Sequence, residues 1–545
     1  MILEEIKKII RQAVGKSDID FLVEVPAEKT HGDYSSNVAL VLSKTLQKNP
    51  REVAEEIKQK INSDIFSKIE IAGPGFLNFF VADKVFVKEI KSSVKANHDW
   101  FGQKIIIDYT DPNILKDFHI GHLMSNAIGE SLSRLFEFEG KKVKRVCYQS
   151  DVGMGIAKAI WGKIKNANFK WGQAYAFGAQ KYEEDETSKK EIIELNKKIY
   201  QRSDKNINNL YDQGKKESLD YFDKIYKKLG TKFDYFIFES QVGPVGKKIV
   251  EKNLGKVFDK GENGAIIFKG EKYGLHTRVF INSEGLPTYE AKDLGLAQKK
   301  YDKYAYDKSV IITGNEVNDY FKVMLCAMKK TNPRLAKKTK HIGHGMLRLP
   351  EGKMSSRTGK VITGEFLIEK VEELIKNKIK DRQFTNNEKN NIAEKVAIGA
   401  IKYSILKQAI GSDIIFDFDK SISFEGDSGP YLQYSYARAL SVLEKAKKER
   451  IKASFSKAPK EVGQLEKSIS RFSESVLKAE ELFEPHFLVL YLTNLASEFN
   501  SYYAKNKIAD KKDTESAYRV ALVNSFVKVM KEGLWLLGIE ALNKM

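Results

Sequence analysis

The sequence predicts a multidomain α/β protein, in which a domain built on a parallel sheet with a helical insertion lies between a small α+β domain and an all-α bundle. Three observations support this fold class. The first hundred residues mix helical and extended patterns, the middle alternates buried strands with helices, and the last third is almost entirely amphipathic helix. At 545 residues the chain is also too long for one ordinary hydrophobic core.

The first region, residues 1–100, is predicted to be the small α+β domain. Helical periodicity runs through Ile2–Val14 and again through Pro50–Ile61. An extended pattern follows at Ile69–Val81, where a glycine–proline–glycine turn interrupts the strand signal. Two helices against short strands are the simplest arrangement of these patterns.

The second region, residues 101–386, has the pattern of a parallel sheet. The apolar strand IIIDYT follows Lys104, a helix runs from about Gly121 to Glu139, and a second strand, KVKRVCYQS, comes next. This order predicts parallel strands with a ligand at their carboxyl ends. A long polar helical stretch at about 156–260 is predicted to be an insertion, after which strand patterns resume.

The third region, residues 387–545, is predicted to be a separate helical bundle. Its apolar residues recur at helical spacing in four long stretches, and no repeat or low-complexity tract is present. These stretches are Ile392–Leu406, Pro430–Glu449, Pro485–Ala504 and Ala517–Leu537.

The charge balance favours a polyanionic partner. The chain has 92 Lys and Arg residues against 73 Asp and Glu residues, a formal net charge of +19. Such a field attracts nucleic acid, but a lysine-rich surface that only solvates the protein gives the same composition. Charge therefore suggests RNA and leaves this alternative open.

The cysteines and the apolar patterns exclude several classes of protein. Cys147 and Cys326 are the only cysteines, and neither belongs to a CxxC pair, so a disulfide framework and a structural zinc site are unsupported. The first residues, MILEEIKKIIRQAV, have the pattern of a folded helix rather than a signal peptide. No stretch approaches the roughly 20 apolar residues of a membrane span. We expect a cytoplasmic monomer.

The most informative segment is DPNILKDFHIGH, which ends at His122 and lies between an apolar strand and a helix. Imidazole N–H groups at a helix N-terminus can donate to phosphate oxygens, and Gly121 leaves room for a nucleotide. His119 and His122 are therefore candidate catalytic residues for holding an α-phosphate. Two surface histidines that only cap a helix remain the alternative.

A second candidate element, KMSSRTG, lies far downstream in a glycine-bounded loop. The Lys353 ammonium could neutralise the β- and γ-phosphates as they become pyrophosphate, with Ser355 and Ser356 as further donors. By itself this segment could be an ordinary basic loop. The order of the two elements along the chain makes the pair informative.

Together the two elements resemble the HIGH and KMSKS signatures of class I aminoacyl-tRNA synthetases. The segment from Asp108 to His122, with Pro-Asn several residues before the histidines, is similar to the arginyl-tRNA synthetase version. Further similarity lies in HGDYSSNVAL, GPGFLNFF, GPYLQY and LLGIEALNKM, so the resemblance covers nearly the whole chain. It implies an N-terminal module that touches the tRNA elbow, a Rossmann-like catalytic domain and a helical anticodon-binding domain.

The activity that the resemblance implies is ATP-dependent attachment of L-arginine to tRNA(Arg) through arginyl-adenylate, with release of AMP and pyrophosphate. ATP with Mg2+ is then a co-substrate, and no protein-bound metal or organic cofactor is expected. Three alternatives stay open on the residues alone. They are a class I ligase for another amino acid, a non-catalytic tRNA-binding paralogue and a small-molecule nucleotidylyltransferase.

The resemblance also implies positions for substrate binding. A guanidinium needs carboxylates for paired hydrogen bonds, and the matching arginine-binding positions are Asp108, Asn113, Tyr289 and Asp293. The matching ATP-binding positions are Pro112, Phe118, Gly121, His344, Met346, Ser355 and Ser356. Asp293 could instead be a solvated carboxylate at a helix start, and Tyr289 could be core packing.

The expected tRNA contacts lie in the two outer domains. Phe76 and Asn78 match the family's tRNA-elbow contacts, although a buried strand phenylalanine is the alternative for Phe76. Tyrosines in the bundle could stack on anticodon-loop bases or could belong to its core. These tyrosines are Tyr431, Tyr434, Tyr502 and Tyr503.

The chain departs from the family pattern at several places. Asp108 stands where a glutamate is frequent, and Val152, Gly155, Val317 and Asn318 replace more usual residues, which puts details of the pocket in doubt. The tetrapeptide His-Ile-Gly-His also occurs a second time, in KHIGHGM. Because no helix signal follows that copy, we predict a strand and a loop there.

Overall fold

The structure is a computed structural model. It describes residues 1–15, 17–91, 94, 102–350, 362–456 and 461–545. The predicted fold class is confirmed: a parallel sheet forms the centre of the molecule, with an α+β region before it and a helical region after it. Within these ranges, no helix is long and apolar enough to cross a membrane.

The N-terminal region packs its helices on an antiparallel sheet with the strand order β1-β2-β4-β3. Its elements are α1 (Ile2–Val14), β1 (Val23–Glu24), β2 (Tyr34–Ser36), α2 (Val38–Leu46), α3 (Pro50–Lys60), β3 (Phe66–Ala72), β4 (Phe76–Val81) and α4 (Asp83–Lys91). Residues Ile6, Val38 and Phe79 are fully buried in the core of this region.

The central sheet is parallel, with the strand order β12-β11-β5-β6-β7. Its first elements are β5 (Lys104–Asp108), α5 (Ile120–Phe138), β6 (Lys142–Gln149), the helices α6 (Met154–Lys165), α7 (Trp171–Glu184), α8 (Glu186–Gln201) and α9 (Lys205–Leu229), β7 (Tyr235–Phe238) and α10 (Glu239–Lys252). The range 156–260 predicted for the insertion thus contains β7, a strand of the main sheet, together with helix α10.

The second half of the central region adds a small antiparallel sheet and the remaining parallel strands. Its elements are β8 (Asp259–Lys260), β9 (Ile266–Phe268), β10 (Arg278–Ile281), α11 (Tyr289–Lys303), β11 (Lys308–Gly314), α12 (Asn318–Thr331), α13 (Pro333–Lys338), β12 (Thr339–His344), β13 (Leu347–Arg348) and α14 (Gly364–Lys378). Ile105 and Ile107 pack in one core and Ile106 in another, as expected for a strand that is covered on both faces.

The order in which strands are added to the sheet switches from one side of β5 to the other. β5 pairs with β6, the next strand in the chain, on one side, and with β11, which comes much later, on the other. Ligands of open parallel sheets bind at such a switch point, outside the carboxyl ends of the strands. The C-terminal ends of β5 and β11 are therefore where a ligand is expected.

The C-terminal region is a helical bundle, as the sequence predicts. Its elements are α15 (Asn386–Leu406), β14 (Ile414–Ile415), α16 (Phe418–Ser421), α17 (Gly429–Lys448), α18 (Gln464–Ser470), α19 (Phe472–Glu481), α20 (His486–Lys505) and α21 (Ser516–Leu536). β14 pairs in parallel with β13, which joins this region to the central one. The same hydrophobic core runs from α5 into α15, α17 and α21.

Candidate active site

A cleft of about 650 Å³ opens at the switch point of the central sheet. It is lined by the loop after β5, the first turn of α5, the ends of β6, β11 and β12, and the start of α11. Nine of the predicted catalytic and substrate-binding residues line this cleft: Asp108, Asn113, His119, Gly121, His122, Tyr289, Asp293, His344 and Met346. Residues far apart in the sequence are thus brought together at one site.

The loop after β5 has an unusual backbone. Thr110 and Asp111 have φ angles of 80° and 45°, in the left-handed region that side chains with a Cβ rarely adopt. Each such residue costs about 1–3 kcal/mol unless its surroundings hold it. Ser125 of α5 accepts from the Thr110 N–H at 2.9 Å and donates to the Ile312 carbonyl at 3.1 Å. Asn126 donates to the Thr110 hydroxyl at 3.0 Å, so α5 fixes the loop.

The two histidines of the first motif form the N-terminal cap of α5. The His119 Nδ1 accepts from the Gly121 N–H at 3.1 Å, and the His122 Nδ1 accepts from the His119 N–H at 3.2 Å. Their rings stack with centroids 3.5 Å apart. A neutral imidazole whose Nδ1 accepts a hydrogen bond carries its proton on Nε2. Both rings therefore have an Nε2–H donor available to a ligand.

The surroundings keep these imidazoles neutral. Burial, with Lys116 as the second cause, lowers the pKa of His119 to about 4. Burial and the neighbouring His119 lower the pKa of His122 well below its usual value. At neutral pH the pair is uncharged, and its hydrogen-bond donors lie at a helix N-terminus, where an anion is stabilised by the helix dipole.

Gly121 and Phe118 shape this cap from two sides. A Cβ on Gly121 would lie 3.0 Å from the His119 ring, so glycine gives the cap its space. The buried Phe118 ring packs 5.2 Å from the His122 ring, and its carbonyl accepts from the Gly364 N–H at 2.7 Å. Phe118 and the buried Pro112 are not among the residues that line the cleft, so their expected contact with ATP stays a prediction.

The predicted lysine element lies outside the described residues, which end at 350 and resume at 362. Lys353, Ser355 and Ser356 all fall in this gap. The chain that resumes there is bound to the first motif, because Thr363 forms an antiparallel bridge with His119.

The opposite wall of the cleft is acidic, and two of its carboxylates are paired with buried lysines of α11. Lys300 donates to Asp108 at 2.6 Å and to the Ser309 hydroxyl at 2.9 Å, and both ion-pair partners are 1% exposed. Burial raises the pKa of Asp108, and Lys300 opposes this rise. Lys292 forms the second pair, with Glu239. The sequence prediction for Asp108 did not include a lysine partner.

Within the described part of the chain, Asp293 has no such ion pair. Its carboxylate accepts from the Tyr320 hydroxyl at 2.5 Å, and burial raises its pKa to about 7. Tyr289, one turn earlier on α11, is 64% exposed at the rim of the cleft, so the alternative of core packing does not apply to it. A carboxylate of this kind favours a cationic ligand because the cation stabilises its ionised form.

His344 and Met346 occupy the far end of the cleft. The buried His344 forms a hydrogen bond through Nδ1 with the Gly345 carbonyl at 2.7 Å, and burial lowers its pKa. The Met346 N–H donates to Asp413 at 2.8 Å, and its side chain is 37% exposed. A flat imidazole ring and a polarisable thioether can both pack against an aromatic ring at this end.

Sequence reasoning did not identify Asp111, Tyr148 and Glu239, which also line the cleft. The Tyr148 N–H donates to the Asp111 carboxylate at 2.7 Å, across two neighbouring strand ends. Glu239 begins α10, directly after β7. The available signal was position, since all three lie at or just after the end of a parallel strand.

The residues predicted to contact the tRNA elbow lie in the N-terminal sheet. Phe76 begins β4 and is partly buried. Asn78 is 4% exposed, and its Oδ1 accepts from the Ser35 hydroxyl at 2.8 Å. In this arrangement the Asn78 side chain holds two strands together.

The four predicted tyrosines of the bundle have different surroundings. Tyr434 and Tyr503 line a surface groove of about 810 Å³, where the Arg438 guanidinium lies 4.7 Å from one ring centroid and 5.5 Å from the other. Tyr502 lines a second groove of about 560 Å³, and the Tyr431 hydroxyl accepts from Asn500 at 3.1 Å. Tyr434 and Tyr503 thus share one groove with Arg438, and Tyr502 shares another with Arg519.

Family profiles match nearly the whole chain in three parts. A profile described as "Arginyl tRNA synthetase N terminal domain" matches residues 1–81, and one described as "tRNA synthetases class I (R), catalytic domain" matches residues 82–418. A third, described as "DALR anticodon binding domain", matches residues 432–545. The second profile alone covers more than half of the chain.

Known proteins of this kind are similar over their full lengths. The arginine–tRNA ligase of Clostridium acetobutylicum is 31% identical, over 99% of this chain and 100% of its own. That of Fusobacterium nucleatum is 32% identical, over 96% and 95%. Arginyl-tRNA synthetase structures share the fold: Plasmodium falciparum (TM-score 0.82, 23% identity, 100% of this chain and 99% of that one) and Thermus thermophilus (0.78, 22%, 100% of both). The chain therefore belongs to the class I arginyl-tRNA synthetase family.

Proposed function

We propose that this chain joins L-arginine to tRNA(Arg) in two steps. The arginine carboxylate attacks the α-phosphate of Mg-ATP to give arginyl-adenylate and pyrophosphate, and the terminal adenosine hydroxyl of the tRNA then takes the arginyl group and releases AMP. The observation that carries the proposal is the cleft itself, which sets two neutral imidazole donors at a helix N-terminus opposite a wall of carboxylates. An anionic reaction centre and a cationic side chain fit this polarity.

On the phosphate side, His119 and His122 hold the α-phosphate. Their Nε2–H donors are fixed before substrate binds, so they stabilise the charge that develops in the transition state without reorganisation. No side chain acts as a nucleophile, and catalysis comes from positioning and charge stabilisation. Lys353, with Ser355 and Ser356, has the chemistry to bind the departing pyrophosphate, and that role rests on its match to the family signature.

On the arginine side, Asp293 binds the guanidinium group. The carboxylate accepts from the Tyr320 hydroxyl and lines the cleft together with Tyr289, and a bidentate carboxylate–guanidinium pair is stronger than a neutral hydrogen bond. Asp108 contributes differently, because Lys300 compensates its charge. Its Oδ1 remains a hydrogen-bond acceptor, and Asn113 adds a polar contact to the amino-acid head group.

On the nucleotide side, the adenine ring packs near His344 and Met346, and Gly121 allows the phosphates to approach the helix. Phe118 and Pro112 are buried behind the loop and support the cap. Their contribution to ATP binding is then indirect, through the position of the His122 ring.

The tRNA contacts two regions. We assign the elbow contact to residues 1–100, with Phe76 as the contacting residue and the buried Asn78 as its support through the bond between β2 and β4, and the anticodon contact to residues 387–545. Tyr434 and Tyr503, with Arg438 between them, offer flat surfaces on which splayed bases can stack. Tyr431 and Tyr502 lie outside this groove and are weaker candidates. The net charge of +19 supplies the general attraction for phosphates.

A pyrophosphate exchange assay with each standard amino acid, with and without total tRNA, tests the proposal. Arginine alone should support exchange, and only when tRNA is present, as the family resemblance implies. Lysine presents a single ammonium group that cannot form the paired contacts of a guanidinium. Exchange with lysine at comparable efficiency would contradict arginine as the substrate. Exchange without tRNA would contradict the expected requirement for tRNA in adenylate formation.

A further inference from the structure

The arginine side of the cleft contains more carboxylates than the family resemblance assigns. Asp108, Asp111, Glu239 and Asp293 all line it. Besides burial, Asp108 and Asp293 raise the pKa of Asp111, and Glu239 and Asp108 raise the pKa of Asp293. A fifth lining carboxylate, Glu316, lies at the other end, beside His344. The first four carboxylates therefore form one charged wall.

Among the described residues, cations form ion pairs with two of these four carboxylates. Lys300 pairs with Asp108, and Lys292 pairs with Glu239. Asp293 accepts from a neutral tyrosine hydroxyl, and Asp111 accepts from the backbone N–H of Tyr148. Two carboxylates, Asp111 and Asp293, thus remain without an ion-pair partner among the described residues. Two carboxylates without a cationic partner in one cleft favour a ligand that brings two cationic groups.

Unused hydrogen-bonding atoms at the same place point independently to a ligand. Asp108 is 1% exposed, and among the described residues its Oδ1 has no hydrogen-bond partner. The buried Tyr148 hydroxyl also has no hydrogen-bond partner among the described residues. Burial is the main cause that raises its pKa, and the nearby carboxylates Glu239, Asp293 and Asp111 raise it further. Buried polar atoms are normally paired, so these two are expected to be paired in the complex.

Arginine brings two cationic groups, the guanidinium and the α-ammonium. The α-ammonium lies one carbon from the carboxylate that reacts at the phosphate, so it must lie on the histidine side of the pocket. Asp111 belongs to the loop that leads to His119, whereas Asp293 lies on α11 at the opposite wall. Burial and the neighbouring Asp108 raise the pKa of Asp111, which a bound cation would reverse.

We propose that Asp111 is a further arginine-binding residue, which pairs with the α-ammonium group while Asp293 pairs with the guanidinium. This inference rests on the proposed function, since it presupposes arginine as the substrate. Lys300 and Lys292 compensate the charges of Asp108 and Glu239. Two negative charges therefore remain for the two cationic groups of the substrate. Asp111 is a binding residue for the head group and has no part in proton transfer.

The test compares arginine with 5-guanidinopentanoate, which has the same guanidinium and carboxylate but lacks the α-ammonium. Asp111→Asn keeps an oxygen that accepts from the Tyr148 N–H and removes the charge. In tRNA-dependent pyrophosphate exchange, this variant should raise the KM for arginine about 10–100-fold, the loss expected for a charge-assisted bond. Its Ki for 5-guanidinopentanoate should change by less than about threefold, because no bond to that ligand is lost.

Two variants serve as controls. Asp293→Asn should weaken both ligands alike, because both carry the guanidinium. Asp302→Asn removes one charge from an exposed position on the same helix α11, outside the cleft, and should change neither constant. If Asp111→Asn does not fold, Asp111→Ser, which keeps a hydroxyl acceptor, replaces it in the same comparison.

The outcomes separate the inference from the proposed function. An unchanged KM for arginine, or an equal loss of both ligands, would overturn the role of Asp111. A wild-type chain that shows no exchange with arginine would instead overturn the proposed substrate. A selective loss of arginine, with 5-guanidinopentanoate unaffected, would support the pairing of Asp111 with the α-ammonium.

Discussion

The tetrapeptide His-Ile-Gly-His occurs twice in this chain, at His119–His122 and at His341–His344. The first copy caps and begins helix α5, and the second ends strand β12. In the helix the two imidazoles stack on each other. In the strand they separate: His341 stacks on Phe321 at 3.7 Å and bonds to Thr313, while His344 bonds to the Gly345 carbonyl.

The difference comes from the residues on either side of each copy. The first is followed by residues with helical apolar spacing, so its histidines lie at the N-terminus of a helix, where backbone N–H groups lack partners within the helix. The second follows α13 directly and continues the parallel ladder beside β11. Identical residues thus form an anion site in one place and a strand in the other. The expected helix N-terminus, rather than the four letters, identifies the functional copy.

The largest expected effect is a difference in kinetics between a histidine variant of the first copy and one of the second. His122→Ala removes a preorganised Nε2–H donor, and we expect adenylate formation to slow by about 100–1,000-fold. His344→Ala should affect mainly the KM for ATP, since that ring lies at the far end of the cleft. Single-turnover measurement of adenylate formation, with ATP varied, separates the two results.

A pure rise in the KM for ATP in His122→Ala would mean that this ring binds the ground state only. Melting curves of both variants are the control for folding. Equal kinetic losses in the two variants would contradict the distinction between the copies.

The second expected effect concerns pH. Burial lowers the pKa of His119, His122, His341 and His344, so in both copies the neutral imidazole is favoured at neutral pH. Asp293, with a pKa of about 7, titrates near neutral pH. Because a guanidinium pairs with the ionised form, protonation below pH 7 competes with arginine, and the KM for arginine should rise about tenfold per pH unit there and stay flat above.

The slope of log KM against pH below 7 counts the carboxylates that must lose a proton. Asp293 alone gives a slope of about one, and Asp111 would make it steeper if it titrates in the same range. Asp293→Asn should remove its share of the slope. A pH dependence that survives in this variant would come from another group.

The third prediction compares alanine substitutions of the glycine in each copy, Gly121 and Gly343. In Gly121→Ala the new Cβ would lie 3.0 Å from the His119 ring, so the ring must shift by a few tenths of an ångström. We expect kcat to fall about tenfold, with little change in melting temperature, since small displacements of catalytic groups are costly. In Gly343→Ala the Cβ would meet the Asn318 side chain at 2.1 Å and the Asn315 backbone at 3.1 Å.

The Gly343→Ala change should therefore lower the melting temperature and leave kcat nearly unchanged. The reverse pattern, with lost activity at 343 and lost stability at 121, would show that the strand copy holds the reacting groups. Measuring kcat and melting temperature on both variants is sufficient.

The features that the sequence predicted are those that neighbouring residues determine. The stretches Pro485–Ala504 and Ala517–Leu537 agree with α20 and α21 within one residue, because long amphipathic helices repeat their pattern many times. β7 was missed because it has only four residues, between a polar helix and α10. A short strand offers too little periodicity to be seen.

The features that could not be predicted depend on distant contacts. The histidine cap lies within one turn, and its chemistry follows from local sequence. The ion pair between Asp108 and Lys300 joins residues 192 positions apart, and no spacing rule brings them together. The assignment of Asp108 to a free guanidinium pocket was natural from the sequence, and the buried lysine changes what that carboxylate can do. Residue charges in a pocket become interpretable only once their partners are known.

The smallest expected effect is that of His341→Ala. The ring does not line the cleft, and it packs on Phe321 and bonds to Thr313 at 2.8 Å. Loss of one hydrogen bond and one ring contact should destabilise the central domain by about 1–3 kcal/mol, with a lower melting temperature. The values of kcat and KM, measured well below that temperature, should stay within about twofold of wild type, because no donor to a substrate is removed.

His341→Gln keeps a group that can bond to Thr313 and should recover part of the stability. A loss of adenylate formation comparable to that of His122→Ala, at an unchanged melting temperature, would show that the strand copy takes part in the reaction, and position at a helix N-terminus would then not be what separates the two copies.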